Sequence, residues 1–230
     1  FTKEMKILCT ICARGGSKGL RNKNIKNIKG LPLIHHTINQ AINSKLFNKI
    51  VISSDSDKIL NISNKKKVDY LIKRSKRLSS STTPKIPVIR DALIKAEKNF
   101  NMKFDYIMDL DVSSPLRNIQ DIKKSMQKIK RDKKDILFSV CESKKNPYFN
   151  MVEKKSGSAI LVKKEGNFFT RQSSPKVFDM NASLYIWKRE TLLTQNTLFI
   201  KNNTFFIMPY ERSIDIDSLT DFKLVKYFMK

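Results

Sequence analysis

The sequence predicts an α/β protein built on a doubly wound, mostly parallel sheet, and three features point there. Five near-continuous apolar runs have strand length: Met5 to Cys12, Ile50 to Ser53, Tyr70 to Ile72, Tyr106 to Leu110 and Ile136 to Val140. Such runs suit strands covered on both faces, as in parallel sheets. Amphipathic segments of helical period lie between them, which implies right-handed crossovers. The first run ends in a cationic glycine loop, and in open sheets of this class ligands bind beyond the carboxyl ends of the strands.

Each helical segment has a reason for its place. Pro32 stands where a first turn tolerates proline, and Ile34, Ile38, Ala41 and Ile42 then share one face. A second stripe, Ile89, Leu93, Ala96 and Phe100, follows Pro84 and Pro87, and Ile119, Ile122, Met126 and Ile129 make a third. The last helix opens with "SLTD", in which Ser218 caps and Asp221 reciprocates, and it buries Phe222, Val225 and Phe228 or Met229. The rhythm fails at about 142–180, where short strand-like pieces are divided by Asn, Pro and Gly. This stretch reads as an inserted β-rich arm within a single domain spanning 1–230, and an arm of this kind suggests a homodimer.

A formal charge of +25 invites a nucleic-acid reading, because a basic surface attracts phosphate backbones. Lys outnumbers Arg 36 to 10, however, and is spread along the whole chain. Aromatics are not interleaved with the basic clusters "NKKK" and "KRDKK", as a base-stacking surface requires. Solvated helix faces are the better account, with no nucleic-acid partner. No stretch approaches the roughly 20 apolar residues of a membrane span, and no signal-type apolar region opens the sequence, so a soluble cytoplasmic protein without a membrane partner is expected. Three cysteines fit a reducing compartment. Cys9 and Cys12 fall inside a strand-like run, where residues three apart face opposite ways, so they read as structural rather than redox-active.

The residues that carry chemistry begin with "ARGGSKGLRNKN" (13–24). It matches neither common phosphate fingerprint, yet Gly15, Gly16 and Gly19 allow backbone amides to face an anion beside Arg14, Lys18, Arg21 and Lys23. Two D-x-D sequences follow, Asp109 with Asp111 and Asp215 with Asp217. On an extended chain residues i and i+2 point the same way, so each pair offers two carboxylates to one side, as a hard divalent ion requires. A cap or turn aspartate is the other reading of such a pair. "SSPLR" places Ser113, Ser114 and Arg117 in a ligand-facing turn, where Arg117 either pairs with an anion or fixes the loop through a salt bridge. "TRQSSP", "NASLYIW" and "FFI" supply Arg171, Gln172, Asn181, Tyr185, Phe205 and Phe206, a mixture of apolar wall and polar groups that suits a sugar, although core packing also explains Phe205 or Phe206. His35 and His36 have no nucleophile partner, and no zinc spacing or G-x-S-x-G elbow occurs.

These motifs in order resemble the CMP-sialic acid synthetases, the cytidylyltransferases of nonulosonic acids. The resemblance covers nearly the whole chain and rests on "ARGGSKGLRNKN", "LPLIHHTINQAINSKLFNKIVISSDSDKI", "KRSKRLSSSTTP", "SSPLR", "RQSSP", "NASLYIW" and "SIDID". It implies a Rossmann-like nucleotidyltransferase fold and a homodimer. It implies that Ala13, Arg14, Gly15, Lys18, Lys23 and Asn24 hold CTP, completed by Arg74, Ser80 and Ser81, and that Arg14, Lys18, Lys23 and Asp217 are catalytic. Asp215 and Asp217 would bind Mg²⁺, with Mn²⁺ able to substitute. Asp111, Ser113, Ser114, Arg117, Tyr148, Arg171, Gln172, Asn181, Tyr185, Phe205 and Phe206 would form or flank the pocket for the acid sugar. The sialic acid branch usually reads "LQPTSPLR" where this chain has "LDVSSPLR", so Asp111 replaces a substrate-contacting Gln, and Asp179 stands where that branch often has Arg. Together with the aromatic "NPYFN" around Tyr148, these departures look most like the branch that acts on N,N′-diacetyllegionaminic acid. Sialic or pseudaminic acid is the alternative, and a D-x-D glycosyltransferase a more distant one.

Overall fold

A computed structural model describes residues 4–16, 19–166, 168, 170 and 172–229. The chain enters through β1 (Ile7–Cys12) and passes a short hairpin of β2 (Asn27–Ile28) and β3 (Leu31–Pro32) into α1 (Leu33–Ser44). It continues through β4 (Lys49–Ser54), α2 (Asp57–Ser63), β5 (Tyr70–Lys73), α3 (Lys85–Phe100), β6 (Tyr106–Leu110), α4 (Ile119–Arg131) and β7 (Ile136–Glu142). Next comes a hairpin of β8 (Val152–Lys155) and β9 (Ser158–Leu161), then the long β10 (Phe178–Lys188), α5 (Arg189–Thr194), β11 (Asn203–Ile207) and α6 (Leu219–Phe228).

The central sheet has seven strands in the order β11-β7-β10-β6-β1-β4-β5. Its ladders are parallel except where β10 runs antiparallel between β6 and β7. All five expected strands and all four expected helices are present. The short α2 and α5 were not foreseen. Apolar side chains cover both faces of the sheet, as the unbroken apolar runs required. Ile34, Ile38, Ile122, Met126, Ile129 and Val225 bring α1, α4 and α6 onto one face. On the other, Ile89, Leu93 and Ala96 of α3 and Leu192 of α5 pack against Ile107 and Trp187. The Ser218 capping box at α6 forms as read, and α4 has its own, made by Asn118 and Asp121. Both imidazoles donate to backbone carbonyls, His35 to Ile62 and His36 to Ile28, which accounts for them structurally. Cys9 is buried, and burial followed by the Asp109 charge pushes the Cys9 and Cys12 thiols up, away from reactivity.

Between β7 and β10 the β8–β9 hairpin stands apart from the central sheet, and β8 is exposed along its whole length. β10 then carries a defect that matters for the site. Its register with β7 shifts between Met180 and Tyr185, and Ala182 adopts a left-handed φ of 54°. A non-glycine residue rarely holds that conformation without support. Ser139 supplies it, donating to the Asn181 Oδ1 at 2.6 Å and accepting from the Leu184 amide at 3.0 Å.

Candidate active site

Beyond the carboxyl ends of β1, β4 and β6 lies a cleft of about 490 Å³. Arg14, Lys23, Asn24, Arg74, Ser80 and Ser81 line one part of it, and Asp111, Ser113, Asp215 and Asp217 another. Six of the residues expected to hold a nucleotide therefore converge with Asp111 of the first D-x-D and both aspartates of the second, although the two motifs are far apart in the chain. Lys18 and Arg171 lie outside the described residues.

Local geometry explains the glycines. A Cβ on Gly19 would lie 2.2 Å from the Asp217 carbonyl oxygen, and one on Gly15 would meet the Ser56 Cβ at 2.9 Å. These glycines permit the loop to press against its neighbours, a stricter requirement than presenting amides. The Gly15 amide already donates to the Asp55 carboxylate at 2.8 Å, and Asn24 Nδ2 ties the loop by donating to the Arg14 carbonyl at 2.9 Å. Ala13 continues the β1 ladder through its amide to the Ser53 carbonyl. Arg74 is buried and donates to the Ser53 carbonyl at 2.6 Å, which aims it along the cleft from β4.

Three tethers place the Asp215–Asp217 segment. Arg212 makes a bidentate pair with Asp121 at 2.9 Å for each contact. Asn181 Nδ2 donates to the Ser213 hydroxyl at 2.8 Å, and the Ile216 amide donates to the Ser113 carbonyl at 2.9 Å. Lys23 Nζ reaches Asp217 Oδ1 at 3.0 Å, so a cation of the first loop already touches the second motif. One oxygen of Asp215 is buried without a hydrogen-bond partner. Burial, followed by the Asp111 charge, pushes the Asp215 carboxyl up. A site that holds an orphaned carboxylate oxygen beside a second carboxylate fits a divalent cation, which would satisfy both. Among the described residues no three His, Cys, Asp or Glu side chains form a metal cage.

The first D-x-D behaves differently. A single cation, Lys85 Nζ, lies 3.2 Å from Asp109 Oδ2 and 2.6 Å from Asp111 Oδ2. Burial works against its ionisation, but Lys85 and the Ser113 hydrogen bonds hold the Asp111 carboxyl well below the usual range. Sequence reasoning passed over Lys85. One signal was available: the residue opens α3, at the positive end of the helix dipole, where a cation needs another reason to be.

Several residues expected to meet the sugar are placed elsewhere. Arg117 is 1% exposed and donates to the Asp111 and Ser183 carbonyls and the Gln40 Oε1. The guanidinium is a clamp between α1, the end of β6 and the β10 bulge rather than a surface for a substrate anion. Ser114 is likewise fully buried behind the cleft. Asn181 spends its amide on Ser139 and Ser213, so it positions the bulge and the aspartate segment. Phe205 and Phe206, being consecutive on a strand, face opposite sides of the sheet. Phe206 packs into the α1 and α4 face, while Phe205 is 36% exposed against Phe178 at 4.9 Å. Tyr185 stacks on Trp187 at 5.7 Å, under the Lys85 ammonium at 4.6 Å. Tyr148 sits near the hairpin, accepting from Lys163 Nζ at 2.9 Å, and Gln172 is exposed in the same region. Among the described residues of the sugar set, Asp111 and Ser113 alone line the cleft.

Comparison with known proteins places the chain in a family. The chain is 48% identical to the post-translational flagellin modification protein B of Campylobacter coli, over 97% of this chain and 95% of that protein. It is 47% identical to the CMP-N,N′-diacetyllegionaminic acid synthase of Campylobacter jejuni, over 97% and 94%. The fold matches the solved CMP:2-keto-3-deoxy-manno-octonic acid synthetase complexed with CTP, with a TM-score of 0.71 at 14% identity, covering 97% of this chain and 98% of that one. A family described as cytidylyltransferase matches residues 8–228. The chain therefore belongs to the cytidylyltransferases and is a nucleotidyltransferase.

Proposed function

We propose that this enzyme joins CMP from CTP to a nonulosonic acid, releasing pyrophosphate, with N,N′-diacetyllegionaminic acid as the acceptor. The observation that carries the reaction is the convergence of Arg14, Lys23 and Arg74 with Asp215 and Asp217 in one cleft. The acceptor rests on the near-full-length identity to the Campylobacter jejuni synthase, and a role in flagellin or surface-glycan modification rests on the Campylobacter coli relative.

In this reading the cationic side of the cleft takes the triphosphate, and Ser80 and Ser81 close the nucleotide end. The anomeric hydroxyl oxygen of the sugar attacks the α-phosphorus, its bond to phosphorus forms as its proton passes to water, and the bond to the pyrophosphate oxygen breaks. A hydroxyl is a weak nucleophile, so rate enhancement comes from positioning and from offsetting charge on the triphosphate. Asp215 and Asp217 would hold Mg²⁺, which supplies charge neutralisation at the phosphates when bound. Lys23, already on Asp217, joins the metal side of the cleft to the phosphate side. Because the sugar residues near the hairpin do not reach the cleft within one chain, a homodimer in which this arm completes a partner's pocket is part of the proposal. A cytoplasmic setting, where CTP is made, completes it.

The test is pyrophosphate release from CTP and Mg²⁺ against a panel of nonulosonic acids, with the CMP-sugar identified as product. A glycosyltransferase would instead consume a finished nucleotide-sugar and release no pyrophosphate.

A further inference from the structure

We propose that Lys85 is a specificity-determining positioning residue, which turns Asp111 from a third metal ligand into an acceptor for a hydrogen-bond donor on the sugar. The inference rests on the proposed reaction and deepens it at the sugar end.

Its basis is the way Asp111 is occupied. Oδ1 accepts from both the amide and the hydroxyl of Ser113, at 3.0 and 2.7 Å, and Oδ2 accepts from Lys85 Nζ at 2.6 Å. A divalent ion on Asp111 would have to sit beside that ammonium, and two cations in contact within a partly desolvated cleft repel strongly. Among the described residues no cation forms an ion pair with Asp215, whose orphaned oxygen remains available, and the Lys23 ammonium takes only one oxygen of Asp217, a carboxylate 77% exposed that keeps its second oxygen for a metal. Lys85 therefore sets Asp111 apart from the other two carboxylates of the cleft, leaving Asp215 and Asp217 to a metal and withholding Asp111 from it.

The same geometry dictates what Asp111 can bind. Lys85 is paired to both Asp109 and Asp111, so the group turned to the cleft at this point is the Asp111 carboxylate, which repels a phosphate or another carboxylate. An ionised carboxyl group is an acceptor only. Its remaining lone pairs face the cleft, where Asp111 is 21% exposed, and they suit a hydroxyl or an acylamino N–H. Lys85 itself is held from below by the Tyr185 ring at 4.6 Å, and Asp109 is fixed by the Thr10 hydroxyl at 2.8 Å. The carboxylate is thus presented in one orientation, the condition for discriminating a substrate that offers a donor from one that does not.

The test uses the full chain with Lys85→Met, which keeps the stem over Tyr185, alongside Lys85→Arg, Asp111→Asn and the double variant Lys85→Met/Asp111→Asn. Pyrophosphate release is measured at varied CTP and varied sugar, with acceptors bearing a hydroxyl, an acylamino group or only hydrogen at the pocket-facing positions. Lys85→Met should raise the KM for the preferred sugar about tenfold, the cost of a lost charge-assisted hydrogen bond, with the KM for CTP within about twofold, and Lys85→Arg should recover part of it. The acceptor whose deoxy form loses this sensitivity identifies the donor as hydroxyl or acylamino. Mn²⁺ binding to the substrate-free protein, read by electron paramagnetic resonance, should tighten in Lys85→Met and return to the wild-type level in the double variant. Unchanged Mn²⁺ affinity, or a KM for CTP that rises as much as that for the sugar, overturns the proposal. Absence of pyrophosphate release from the wild type with every sugar would overturn the proposed reaction instead, leaving the Mn²⁺ measurement to decide the role of Lys85.

Discussion

The wall of the cleft made by the described residues of 13–24 and by 213–217 is fastened from several directions, whereas the hairpin of β8 and β9 pairs with the central sheet at neither strand. In the first region several side chains are tied in place, Asn24 to the Arg14 carbonyl, Lys23 to Asp217 and Ser213 to Asn181, and Arg212 on Asp121 holds the segment from just before it. In the second, Gln172 is exposed, and Tyr148 is half-buried against local partners only, the Phe168 ring at 5.8 Å and the Lys163 ammonium. Groups that must act on a common triphosphate benefit from being preorganised in the fold, because no reorganisation is then needed at the moment of reaction. Groups that select among sugars gain from standing on a segment that varies without disturbing the sheet.

The comparison can be broken most forcefully on the fastened side. Asp217→Ala and Lys23→Ala should each lower kcat/KM about a hundredfold or more in a pyrophosphate-release assay, corresponding to about 3 kcal/mol of transition-state stabilisation. Arg117→Leu should cost about 2 kcal/mol of folding stability in denaturant titration, because the buried Asp111 and Ser183 carbonyls and the Gln40 side chain each lose one of their donors, leaving the Thr37 hydroxyl and the Asp111 amide on the two carbonyls. Gly19→Ala should lower activity about tenfold through displacement of Asp217, with a smaller change in Tm, since the loop is at the surface. On the arm, Tyr148→Ala should raise the KM for the sugar a few-fold, in the range of about 1 kcal/mol, and leave CTP affinity unaltered. If the arm variant weakens CTP as much as the sugar, the division between the two regions fails.

A pH measurement sharpens the same contrast away from the cleft. Glu97 is buried and receives both arms of Arg189 at 2.7 and 2.9 Å, along with Lys103 and the Phe104 amide. Burial pushes its carboxyl up, but these donors outweigh burial and hold it below its ordinary value. A lowered folded-state value contributes stability that is fully present above the unfolded value, about 4.3, and is lost as pH falls through the folded one. The stability gap between wild type and Glu97→Gln should therefore be constant near neutrality and close on acidification below that range.

What was legible in the sequence was local. Unbroken apolar runs located β1, β4, β5, β6 and β7, and "SLTD" located the start of α6, because the cause of each lies within a few residues. The short α2 and α5 escaped, since seven and six residues hold too little periodicity to register. The cleft was legible on its nucleotide side because residue type and strand end agreed there. Asn181 and Lys85 were not, and Arg117 was so only as one of two readings, because each acquires its role from a partner distant in sequence: Ser183 of the β10 bulge for Arg117, Ser139 on β7 for Asn181 and Asp111 at the end of β6 for Lys85. The same residue types at the same spacing would have served a substrate equally well.

The central claim is that the loop of residues 13–24 and the Asp215–Asp217 segment form one CTP site. Calorimetric titration of CTP with Mg²⁺ into the wild-type chain, Lys23→Ala and Asp217→Ala, without any sugar, tests it most directly. Saturable binding by the wild type, weakened about tenfold or more in both variants, is the predicted result, as the loss of one charged contact requires. Equal affinity in all three proteins would contradict it.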